Sequence, residues 1–181
     1  TKDIYGNILS DIETSINSDH TFHFQNVDAS LDYKKTFTKE DQELDLSVNT
    51  SSGNRSVIDN TYQYAMPQDS LFYSTKGKNP GTEKETQIRI DYTQPLKKNF
   101  LLGVGSKLSL YDIAGNADVS KLNGINGYIK DNYLSNVLDY QQKVYALYAE
   151  MTFPVFSWFN AKIGGRYERT EINSYFSNAQ Q

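Results

Sequence analysis

"FNAKIGGRYERTEI", residues 159–172, decides the fold. Phe159, Ala161, Ile163, Gly165 and Tyr167 fall on one parity, and Asn160, Lys162, Gly164, Arg166 and Glu168 on the other. Successive side chains of a β-strand point to opposite faces, so this stretch is a strand with one oily and one charged face. It is also long, because strands of globular proteins usually run about five or six residues.

Five more segments repeat the pattern. In residues 21–35, "TFHFQNVDASLDYKK", Val27, Ala29, Leu31 and Tyr33 share a face. In 42–50, "QELDLSVNT", Leu44, Leu46 and Val48 alternate with Glu43, Asp45, Ser47 and Asn49. "TQIRIDYTQ", 86–94, opposes Ile88, Ile90 and Tyr92 to Gln87, Arg89 and Asp91. "FLLGVGSKLSLYDI", 100–113, sets Phe100, Leu102, Val104, Ser106, Leu108 and Leu110 against Leu101, Gly103, Gly105, Lys107 and Ser109. "KVYALYAEMTF", 143–153, carries Tyr145, Leu147, Ala149, Met151 and Phe153 on its apolar face.

The connections alternate in length. "TFTKEDQ", "QPLKKN" and "PVFSW" are short, whereas the stretches at about 52–82 and 114–141 read as long loops. This predicts an all-β, antiparallel up-and-down meander of about six long strands with its short turns at one end. Outer-membrane barrels have that asymmetry, and their strands need about 9–11 residues to cross the apolar layer. Lipid would then cover the Phe159 face and a water-filled lumen the Lys162 face. The alternative is a self-contained soluble envelope β-domain that binds a glycan or protein partner, since any half-solvated sheet alternates in the same way.

Composition bounds the function. The 181 residues suit a single unit spanning 1–181. Aromatic content is 13%, which argues against disorder despite a mean hydropathy of −0.64. A net charge of −4 offers no basic footprint for nucleic acid. Without cysteine there is no disulfide and no thiolate metal site. The opening "TKDIYGNILS" carries no initiator Met or signal peptide, and the chain is expected to be a piece of something larger.

The segment "YALYAEMTFPVFSWFNAKIGGRYERTEI" resembles hairpins of the outer membrane protein beta-barrel family, whose members are similar to TonB-dependent receptors. The matching positions are Tyr145, Ala146, Tyr148 and Ala149, then Gly165, Arg166, Tyr167, Glu168 and Thr170. One departure is visible, because Gly164 and Gly165 run directly into Arg166 where the family often has an apolar residue. The resemblance implies a transporter-like barrel of many strands around a plug domain, in the outer membrane of a Gram-negative-type envelope. The partners it implies are outer-membrane lipid, the remainder of the barrel with its plug, and an extracellular nutrient ligand.

Candidate chemistry is sparse. His20 and His23 lie three residues apart on a strand and point to opposite faces, so a shared metal is not expected. "GVGSK", 103–107, sits inside an alternating strand and is no phosphate loop. No catalytic residue, metal site or cofactor site is marked, and the chain is not expected to be an enzyme. Arg89, Lys107, Lys162, Arg166 and Glu168 are the expected lumen-facing polar residues, with mutual charge pairing across neighbouring strands as their structural reading. Tyr62, Tyr64, Tyr128 and Tyr133 are the expected ligand contacts, on loops rich in Tyr and Asn. Tyr33, Tyr92, Phe153, Trp158 and Phe159 gather at the short-turn end, as an interfacial aromatic girdle would. An isolated segment with an open apolar face is expected to associate with other copies.

Overall fold

The computed structural model describes residues 13–97 and 99–178. Seven strands form one antiparallel sheet: β1 (Thr14–Thr36), β2 (Glu43–Ala65), β3 (Ser70–Lys97), β4 (Phe100–Leu122), β5 (Tyr128–Lys130), β6 (Asn136–Phe156) and β7 (Phe159–Asn178). The order is β1-β2-β3-β4-β6-β7, the expected meander, with the three-residue β5 added on β4.

Register joins the oily faces into one surface. Leu31 lies opposite Val48, Val48 opposite Ile88, Ile88 opposite Leu108, and Leu108 opposite Tyr145. Directly opposed residues share a face, so the apolar sets of all six long strands are continuous. No second layer covers them among the described residues. Ala146 and Pro95 are the only buried ones of the described apolar side chains, while Ile163 is 66% exposed. A soluble sandwich would set a second sheet about 10 Å from this face. The self-contained soluble domain is therefore not the fold described.

The apolar band runs obliquely across the strands. On β1 it spans residues 27–33, centred on Ser30; on β7 it spans 159–167, centred on Ile163. Followed through the register, Ser30 is level with Asn49, Gln87, Ser109, Val144 and then Thr170. The band has thus slipped seven residues, roughly 23 Å at about 3.3 Å per residue. It does so over five interstrand steps of about 4.8 Å each, which together make roughly 24 Å. For the band to lie level, the strands must tilt by about 45°, the inclination of strands in a membrane barrel.

The expected loops are mostly strand, which corrects the reading of 52–82 and 114–141. β2 and β3 stay paired from the Glu43–Thr93 level up to Ala65 and Ser70, leaving 66–69 as the connection. β4 continues to Leu122, and the true connection, 123–135, holds a 3-10 turn and β5. The reason is physical. Above the band neither face meets lipid, so the outward apolar set gives way to polar residues although the backbone ladder does not end. The 28 residues of β3 far exceed the roughly 10 that a membrane crossing needs.

Candidate functional site

The face opposite the apolar band carries the charges. Register puts Ser47, Arg89, Lys107, Ala146 and Glu168 in one row, and Asp45, Asp91, Gly105, Tyr148 and Arg166 in the next. Arg89, Lys107, Arg166 and Glu168 therefore come together on this face. Lys162 lies nearer the short turns and reaches Glu150 at 2.6 Å.

Tyr148 organises the cluster. Its hydroxyl donates to Asp91 Oδ1 at 2.5 Å, and Asp91 Oδ2 accepts from Arg89 Nε. The Arg166 guanidinium stands over the Tyr148 ring, 5.6 Å from its centroid, and Arg166 Nε donates to Glu168 Oε1 at 2.7 Å. The ring lies flat across Gly105: a Cβ there would overlap it and come within 2.6 Å of Asp91 Oδ1. Gly105 is thus the floor on which this aromatic crosses the sheet, a close approach that no other residue permits. The glycine of "GVGSK" has its use here, in packing.

Among the described residues all of these charges except Lys107 are paired, but Arg89–Asp91 and Arg166–Glu168 pair along one strand and not across neighbouring strands as expected. Arg89 pairs with Asp91, Arg166 with Glu168, Lys162 with Glu150, and Lys34 with Glu43 at 2.7 Å. Sequence reasoning missed Tyr148, Asp91 and Gly105 as one unit. The available signal was parity, since Tyr148 is an aromatic on the charged parity of its strand, facing a glycine.

The four tyrosines behave differently. Tyr62 and Tyr64 lie within β2, whereas Tyr128, which opens β5, and Tyr133 both lie in the 123–135 connection. Tyr62, Tyr64 and Tyr128 share the parity of the apolar band and stand on the outward face above it. Tyr128 donates to or accepts from Ser74 Oγ at 2.8 Å, and Lys76 lies over its ring at 4.1 Å. Tyr133, 78% exposed, is the one left fully open, on a connection held by Asp131 Oδ1 accepting from the Tyr133 and Leu134 amides. His20 and His23 point to opposite faces, and His20 meets Asp59.

Aromatics crowd the short-turn end. Phe37 meets Tyr92 edge-on, Phe100 stacks on Phe153, and Trp158 lies between Phe156 and Phe159. The sequence model of the outer membrane protein beta-barrel family matches residues 9–181. No curated protein matches the chain.

Proposed function

The chain belongs to the outer membrane protein beta-barrel family, its place is the outer membrane, and on that premise we propose that it is part of a TonB-dependent-receptor-like barrel that captures a nutrient at the cell surface and admits it. The observation that carries this reading is the height of the wall. Strands β2, β3 and β4 continue, still paired, far beyond the apolar band. A barrel that merely anchored itself would need no such wall, whereas one that gathers ligand outside does. The charged face around Tyr148 would then border the path inward, and the aromatics near Trp158 would sit at the inner membrane interface. Binding and passage require no covalent chemistry from these residues.

Cells with and without the full-length protein, grown in rich medium, test this reading through the solutes they deplete. At least one solute should disappear only when the protein is present and the membrane is energised. Identical depletion profiles would overturn the receptor role.

A further inference from the structure

Lys107 differs from its neighbours on the charged face. Arg89, Arg166, Lys162 and Lys34 each hold a carboxylate, and Lys107 holds none among the described residues. Register makes this worse, because Lys107 lies directly opposite Arg89. Like charges facing each other across a strand pair are destabilising. Its other neighbour in the row is Ala146, whose methyl is buried and too short to screen an ammonium.

The space over Ala146 is an open concavity of about 410 Å³. That is within the range of small-molecule sites, roughly 300–1,000 Å³. Besides Lys107 it is lined by Ser109, Tyr111, Gln142, Arg166 and Glu168. The hydroxyls and the amide can donate to or accept from hydroxyl groups, the carboxylate can accept from them, and Lys107 supplies an uncompensated positive charge. Small carboxylates that also carry several hydroxyls match this mixture.

We propose that the hollow above Ala146 is a subsite for a small polyhydroxylated carboxylate of the sugar-acid type, with Lys107 holding its carboxylate. This rests on the receptor reading and names the class of solute for it. Open to water and held by one charge, the subsite binds loosely enough to release what it takes, as a passage site must.

The test uses the full-length protein in nonionic detergent with sodium glucuronate as probe and glucose as control, followed by saturation-transfer NMR. Glucuronate should bind saturably and more tightly than glucose. Lys107→Gln should weaken glucuronate by about tenfold, the cost of one charge-assisted bond, and Lys107→Arg should retain it. Removing the charge also relieves Arg89, so Lys107→Gln should melt no lower than the parent. No saturable glucuronate binding, or equal binding by Lys107→Gln, overturns the proposal. So does a lower melting point for Lys107→Gln, which would mean that a carboxylate of the protein itself holds Lys107. Depletion of some other solute by energised cells would then leave the receptor role standing, while glucuronate binding without any depletion would leave the subsite and remove that role.

Discussion

The sheet is two walls end to end, and they are opposite in character. At the level of the band the outward face is apolar, with Leu31, Leu147 and Ile163, and the other face is charged. Above the band the assignment turns over. There the outward parity carries Asn17, Asp19, His23, Asn54, Asn60 and Asn173, with Ile58, Leu122, Val137 and tyrosines such as Tyr62, Tyr64 and Tyr175 as exceptions. The inward parity carries Phe22, Phe24, Val57, Ile113, Val119, Ile172 and Phe176. The backbone ladder continues through both regions, and its register shifts, at Gln63/Tyr64, Pro95/Lys97 and Pro154/Phe156, fall only beside the connections. What changes is the solvent outside, from lipid to water. Paired strands tolerate either, because the ladder satisfies their backbone in both.

The sharpest way to break this comparison is one substitution made twice. Ile163 and Tyr175 lie on the same parity of β7, at 66% and 56% exposure in the isolated sheet. Ile163→Arg should destabilise the folded barrel by about 2–4 kcal/mol, because it sets a charge at the middle of the band. Tyr175→Arg should stay within about 0.5 kcal/mol, as for an ordinary surface position. Urea titration of the full-length protein in lipid vesicles reads both, and equal costs would mean that the band does not meet lipid.

Glycines give the next contrast. Gly105→Val must displace Tyr148 and Asp91 and should cost about 1–3 kcal/mol by overpacking. Gly115, on the inward face of the upper wall, has nothing within 4 Å of an added Cβ. Gly115→Val should therefore be neutral or slightly stabilising in the same titration. A large loss at Gly115 would reveal a partner seated on that wall.

Smaller effects remain at band level. Tyr148→Phe removes the hydroxyl bonded to Asp91, which Arg89 still holds, and should cost about 0.5–1.5 kcal/mol. Lys162→Ala breaks a pair whose side chains are 59% and 47% exposed, so less than about 1 kcal/mol is expected, fading with salt. A larger loss at Lys162 than at Tyr148 would invert this ranking and place the organising contact near the short turns.

The band was legible because its signal is local. Val27, Ile88, Leu102, Leu147 and Ile163 announce their face by parity within a few residues, and the short turns announce themselves by charge and proline. The upper wall was misread as loop because its alternation is weak. "NRSVIDNTYQY" and "STKGKNPGTEK" mix Asn, Lys, Gly and Pro, which by themselves favour turns. Pairing with a neighbour holds them extended, and that neighbour lies up to dozens of residues away, as Arg55 does from Gly81. Parity put the charged residues on one shared face, and the partners two residues away, Asp91 for Arg89 and Glu168 for Arg166, were within reach of the same reading; Glu150 for Lys162 and Asp91 for Tyr148 were not, because only register brings them level.

By itself the sequence determined which side chains share a face within each strand, since alternation follows from the covalent backbone. Only the tertiary structure decided which strand positions stand level. That register set the roughly 45° tilt of the band, brought Tyr148 across Gly105 to Asp91, and left Lys107 opposite Arg89 without a counter-charge. The reason is that register comes from hydrogen bonds between distant segments, and every cross-strand neighbour depends on it.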